Sequence, residues 1–325
     1  MSRPAPRLLV TLRPRESVTD AIDGALGQVP WTYAEGSAPA EWGLVEAMLI
    51  GALERELGSY ASTETPSLRF VQRIYTGIDD VPFDRFRESV RIAGNVGAYA
   101  PFVAEHAVAL ALAAARDLVR ADRQVREGRL RPAPSQRVLF GRTAVILGYG
   151  EIGRAIARRL QGFEMRIVGV NRDGRMSADA DAMYPAAETA RAVADGEFVF
   201  DARPLTRSTR GSVDAGILSA MRPDAVYVNV GRAGTVDESA LYAHLRSHPD
   251  FRAALDVWWE EDFVGGTTRA AHPFHELENL VGSPHSAGFG PGVEEYVLAK
   301  ALENLGRYFR GEDPLHVADR ADYVR

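Results

Sequence analysis

Residues 143 to 160 read "TAVILGYGEIGRAIARRL": five strand-forming residues, a turn punctuated by glycines, then a helical pattern. No other stretch limits the fold as strongly, because each glycine has its own steric duty. Gly148 permits a tight turn at the strand end, Gly150 lets an anion approach the backbone, and Gly153 lets the new helix pack closely on the strand it has just left. The unpaired N–H groups of the first helical turn then face whatever sits over the loop, with the positive end of the helix behind them. A strand–GxGxxG–helix unit requires a parallel α/β sheet around it and predicts a dinucleotide pyrophosphate as its ligand. A glycine turn without a ligand is the alternative, and the position between strand and helix weighs against it. Arg154, Arg158 and Arg159 read as the solvated face of that helix.

The rest of the chain supplies the sheet. After "TAVILG" come "MRIVGVN", "FVFDA", "AVYVNV", "RAALDVW" and "NLVGSP", short β-branched runs between helical stretches, as expected of buried strands in a doubly wound sheet. From Leu8 to Ile92 a second alternating set, "RLLVTL", "GLVEAMLIG", "LRFVQRI" and "VRIAGN", predicts another parallel sheet with helices on it. A chain of 325 residues exceeds what one core organises, so two lobes are expected. Residues 102 to 127 predict the longest uninterrupted helix, ended by Gly128 and able to bridge the lobes. Its alanine-rich face offers a surface for a second copy in a two-fold dimer. Residues 292 to 311 predict a helix that returns the chain to the first lobe.

Composition narrows the partners. A net charge of −6 disfavours nucleic acid, since binders of phosphate backbones concentrate positive charge. There is no cysteine, hence no disulfide, thiolate nucleophile or cysteine-held metal, and no metal site is expected. The N-terminal stretch "MSRPAPRLLVTLRPRE" has only Leu8, Leu9 and Val10 as a consecutive aliphatic run, and Ala107–Ala115 is too short to span a bilayer. A cytoplasmic location without membrane association is expected. Of the 38 basic residues all but Lys300 are arginine, so an isolated arginine says little.

The strand after the glycine helix ends in "RIVGVNR", where the adenine ribose of a bound dinucleotide would lie. An acidic residue there bonds the 2′-hydroxyl and repels a 2′-phosphate. This chain has Asn171 and Arg172, which tilts the cofactor toward NADP(H), with NAD(H) the alternative and an exposed structural arginine the bland reading of Arg172.

Three further strand ends carry one chemically useful residue each: Arg232 in "VYVNVGRAGTVDESAL", Glu261 in "AALDVWWEED" and His285 in "NLVGSPHSAGFG". Reduction of a 2-keto acid needs a cation to hold and polarise it, an acid to protonate the nascent alkoxide, and a carboxylate to tune that acid. With these motifs, "PLTRSTRG" (204 to 211) and the "GYGEIG" turn, the chain resembles the D-isomer-specific 2-hydroxyacid dehydrogenase family, its glyoxylate/hydroxypyruvate reductases in particular. The resemblance covers essentially the whole length and is strongest from Gly141 to Gly288.

The resemblance implies two doubly wound parallel-sheet α/β domains. A Rossmann NAD(P)-binding domain, 104–289, is inserted into a flavodoxin-like substrate domain made of 1–103 and 290–325. It implies that His285 is the proton donor, Glu261 its orienting partner, and Arg232 the grip on the substrate's carboxylate and carbonyl oxygen. The loop Thr76, Gly77 and Ile78 would hold the carboxylate through backbone N–H groups, with Tyr75 beside it facing the substrate, so that substrate is shared between lobes that close on it. Asp256 would bond the nicotinamide amide, and Glu151, Ile152, Pro204, Thr209 and Val230 would line the cofactor channel. Tyr149, Gly231, Ala287 and Gly288 complete the expected cofactor contacts, and a homodimer is the usual assembly.

The other six histidines, His106, His244, His248, His272, His275 and His316, read as structural or surface groups, and Trp258 and Trp259 as packing. Competing readings are a phosphite-type dehydrogenase, disfavoured because Thr76 stands where the resemblance calls for lysine, and a formate oxidiser, disfavoured by Glu261 where that branch has glutamine. A dinucleotide-sensing binding protein without catalysis is the alternative from another class.

Overall fold

The computed structural model describes residues 7–34, 42–51, 65–130, 136–263 and 265–323. The chain forms two compact units, Met1–Tyr99 with Gly290–Arg325, and Ala100–Phe289. The first is built on β1 (Leu8–Val10), β2 (Trp31–Tyr33), β3 (Ala47–Ile50), β4 (Phe70–Arg73) and β5 (Arg91–Ala93). All neighbours pair in parallel, in the order β2-β1-β3-β4-β5, the flavodoxin-like arrangement. Helix Glu16–Leu26 buries Val18, Ile22 and Leu26, one stripe at four-residue spacing, and stops at Gly27. The returning helix Val293–Phe309 is tied to this sheet by a buried polar pair, Asn304 Nδ2 donating to Gln72 Oε1 at 2.6 Å.

The second unit holds β6 (Thr143–Leu147), β7 (Arg166–Asn171), β8 (Ala182–Pro185), β9 (Phe198–Asp201), β10 (Val226–Asn229), β11 (Arg252–Leu255) and β14 (Leu280–Gly282), with a separate antiparallel hairpin of β12 (Glu260–Asp262) and β13 (Thr267–Arg269). The parallel order is β14-β11-β10-β9-β6-β7-β8. The chain runs one way from β6 through β7 to β8, then crosses to β9 and runs the other way, so the order reverses beside β6. That is where doubly wound sheets bind ligands. β9, β10 and β11 are buried throughout, as strands covered on both faces must be.

Two expectations need correcting. The helix expected over 102 to 127 is two helices, Ala100–Ala115 and Leu118–Arg126, broken where Asp117 adopts left-handed backbone angles. The apolar pattern that holds the first half down ends at Ala115, and the polar second half buries none of its residues. The alanine-rich face is also not free for a second copy. Ala104, Ala107, Ala111 and Ala115 are fully buried within their own unit, where the helix lies against β10, β11 and helix Glu151–Leu160. Among the described residues no helix is long and apolar enough to cross a membrane, and no cluster of three acidic or histidine side chains is set to hold a metal.

Candidate active site

The sequence-predicted residues of the larger unit fall on the carboxyl ends of neighbouring strands. Going along the sheet they are His285 after β14, Glu261 after β11, Val230 to Arg232 after β10, Pro204 after β9, the glycine turn after β6, and Asn171 ending β7. The turn fits a dinucleotide. Gly148 has φ +88°, and a Cβ there would lie 2.7 Å from Arg203 Cγ; a Cβ on Gly153 would strike the Gly148 carbonyl. At Gly150 nothing lies within 4 Å of where a Cβ would be, so the backbone is open on the side that a pyrophosphate needs. Glu151 and Ile152 begin the helix, whose N-cap Gly150 offers no side chain to compete for its first N–H groups.

Several expected cofactor contacts serve the protein itself. Tyr149 is buried and gives its hydroxyl to the Asp179 carbonyl at 2.7 Å, leaving only its backbone in the turn. Thr209 donates to the Pro204 carbonyl at 2.6 Å, closing the 204 to 209 loop. Ala287 is buried, and Gly288 half-buried beside it. Asn171 donates to the Arg175 carbonyl at 2.9 Å, while Arg172 lies exposed just beyond the tip of β7. Asp173, next in the chain, pairs with Arg175 at 3.4 Å.

His285 and Glu261 are brought together directly. His285 Nδ1 lies 2.8 Å from Glu261 Oε2, and Glu261 Oε1 accepts from the Trp258 backbone N–H at 2.8 Å. A carboxylate only accepts, so Nδ1 carries the hydrogen, leaving Nε2 as the nitrogen free to exchange a proton with a ligand. Glu260 and Asp262, its neighbours, flank Glu261 on the three-residue strand β12, where alternation turns them the other way. The exposed Phe263 sets its edge against the imidazole, ring centres 5.2 Å apart. Arg232 leaves β10 in extended backbone, half-buried, with Nη1 on the Gly231 carbonyl at 3.0 Å. Its place is fixed by Asn229, fully buried, which accepts from Gly231 N–H at 3.0 Å and donates to the Arg232 carbonyl at 3.2 Å.

The resemblance gives Asp256 a bond to the nicotinamide amide; the structure turns it inward. It is 1% exposed, and its carboxylate accepts from Ser283 Oγ at 2.6 Å, Ser286 N–H at 2.9 Å and Ala287 N–H at 3.0 Å. Burial alone would raise its pKa; the bonds from His106, Ser283, Ser286 and Ala287 outweigh burial and hold it down at about 2.

Sequence reasoning missed two groups here, one buried and one half-buried. Asp201, fully buried at the end of β9, accepts from Arg203, from Tyr227 Oη at 3.2 Å and from Thr235 Oγ1 at 2.9 Å, bracing the floor beneath the glycine turn. His106, on helix Ala100–Ala115, reaches Ser283 Oγ with Nε2 at 2.9 Å. Asp201 reads only as a strand end, and His106, though within the helix segment "FVAEHAVAL", makes a contact joining residues 177 apart.

In the smaller unit Tyr75 to Ile78 follow β4. Thr76 Oγ1 donates to the Asn95 carbonyl at 3.1 Å, and Asn95 N–H returns a bond to the Tyr75 carbonyl at 3.0 Å. Among the described residues, the backbone N–H groups of Thr76, Gly77 and Ile78 meet no protein acceptor, so this loop offers donors to an anion.

This sheet order, with a glycine turn at its reversal point, defines a dinucleotide-binding α/β protein. Residues 108–287 match the family model described as D-isomer specific 2-hydroxyacid dehydrogenase, NAD binding domain, and the chain belongs to that family. It is similar to the glyoxylate reductase of Korarchaeum cryptofilum, 30% identical over 278 residues that cover 84% of this chain and 82% of that protein. It also resembles the hydroxypyruvate reductase of Thermotoga maritima, 31% identical over 241 residues covering 74% and 77%. A D-isomer specific 2-hydroxyacid dehydrogenase from Xanthobacter autotrophicus Py2, crystallised with NADPH and MES, shares the fold with TM-score 0.82 at 24% identity, covering 98% of this chain and all of that one. The protein is an NAD(P)-dependent oxidoreductase acting on the CH–OH group of donors.

Proposed function

We propose that the protein reduces a small 2-keto acid of the glyoxylate or hydroxypyruvate type to the D-2-hydroxy acid, with NADPH as the preferred reductant. The observation that carries this reading is the 2.8 Å bond between His285 Nδ1 and Glu261, which leaves Nε2 as a proton donor. When bound at the glycine turn, beside Val230 and Pro204, the nicotinamide dinucleotide supplies hydride for C2 of the acid. His285 gives the Nε2 proton to the carbonyl oxygen. Glu261 holds Nδ1–H and so fixes which nitrogen faces outward. Arg232 pairs with the substrate carboxylate and polarises the carbonyl through a charge-assisted hydrogen bond. The relatives named glyoxylate reductase and hydroxypyruvate reductase support the substrate class. Asn171 and Arg172 in place of a carboxylate at the β7 tip support NADPH over NADH.

The test follows NADPH or NADH absorbance with glyoxylate, hydroxypyruvate and pyruvate, each at about millimolar concentration. Turnover of at least one keto acid, with higher kcat/KM for NADPH, is the expected outcome. Tight dinucleotide binding without turnover of any of them would instead favour a sensor.

A further inference from the structure

We propose that His106 is a positioning residue for this reaction: through Ser283 and Asp256 it holds the left-handed turn that aims the His285 imidazole. The inference rests on His285 being the proton donor. Its starting point is a three-membered cluster behind the site. His106 Nε2 lies 2.9 Å from Ser283 Oγ and 3.3 Å from Asp256 Oδ1, while Ser283 Oγ lies 2.6 Å from the same Oδ1.

The proton positions follow from counting donors. A carboxylate has none to give, so the single Ser283 hydroxyl hydrogen goes to Asp256. What faces His106 is therefore a serine lone pair and a carboxylate oxygen, both acceptors. Nε2 must carry a hydrogen whether the ring is neutral or charged, and His106 acts on this cluster as a fixed donor.

The cluster shapes the backbone that bears His285. His285 has φ +52°, a left-handed conformation that a non-glycine residue holds only when its surroundings over-determine it. Three consecutive N–H groups end on Asp256: His285 on its carbonyl at 2.7 Å, Ser286 and Ala287 on its carboxylate. Ser283, two residues before His285, is the other side of the same clamp. Without a donor at position 106 the serine oxygen loses its partner and the buried carboxylate one of its compensating hydrogens. The turn relaxes and Nε2 of His285 drifts from its line of transfer, whereas the glycine turn, on another strand, is untouched. The His106 side chain is 27% exposed and thus mostly covered, so a substitution that tests the donor must keep its bulk.

The experiment measures kcat, NADPH Kd and Tm for His106→Leu, which keeps bulk but no donor, and His106→Gln, whose amide can replace Nε2–H, each in the native and the His285→Ala background. The expected result is a loss of about tenfold in kcat for His106→Leu, the scale of a small misplacement at a reacting group, with NADPH Kd changed less than about twofold. His106→Gln recovers most of the rate, and neither change lowers the rate further once His285 is alanine. Should the leucine variant fail to fold, Ser283→Ala cuts the same bond from the other end and is expected to show the same loss. Unchanged kcat in His106→Leu or Ser283→Ala, or an equal loss in the His285→Ala background, overturns the proposal while leaving His285 in place. Unchanged kcat in His285→Ala alone overturns the assignment on which it rests.

Discussion

Asp256 joins chemistry and stability in one side chain. It is buried yet held ionised by four donors, so its folded pKa of about 2 lies below the ordinary carboxylate value of 3.8. A group whose pKa is depressed by folding stabilises the fold above its unfolded pKa and loses that contribution as pH falls through the folded one. Asp256→Asn is therefore expected to be less stable than the native protein by about 2 kcal/mol at neutral pH, with the gap closing between pH ~4 and ~2. Urea midpoints across that range measure it, and a gap that does not change with pH contradicts the assignment. Spacing from "ALDV" was enough to single out Glu261 from Glu260 and Asp262, because strand alternation turns neighbours to opposite sides. Nothing in the local sequence could reveal His106, since its partners are brought to it only by the packing of a helix on the far end of the sheet.

Most strands legible in the sequence are buried ones, the half-exposed edge strand β14 being an exception. β6, β9, β10 and β11 announce themselves as short, mostly apolar runs with a polar residue only at one end, because both of their faces need covering. The strands that were not anticipated are β2 and β8, each the outermost strand of its sheet, three and four residues long and only half-buried. Pro185 closes β8, as suits an edge that has no further strand to pair with. The β12–β13 hairpin is mostly exposed and carries no alternating apolar pattern, though it holds Glu261. The break at Asp117 lacks a glycine or proline to signal it. The tip of β7 is where cofactor choice is expected to lie. Arg172→Ala should lower the ratio of kcat/KM for NADPH over NADH by about tenfold, the scale of one charge-assisted contact to a phosphate, with little change for NADH. An unmoved ratio removes Arg172 from the cofactor site.

For the molecule as a whole, two parallel sheets follow from two alternating sets of apolar runs, and the glycine turn marks which of them reverses its strand order beside a ligand site. Roles within the site needed the family resemblance, because residue types at strand ends name a chemistry without naming a substrate. The His285 imidazole, oriented by Glu261, is the proposed source of the proton for keto-acid reduction. Steady-state kcat for glyoxylate reduction by NADPH in the native protein and in His285→Ala is the measurement that decides this. A fall of about 10²–10⁴-fold in the variant, the usual worth of a general acid, is expected, with NADPH binding retained. A variant that reduces glyoxylate as fast as the native protein contradicts it.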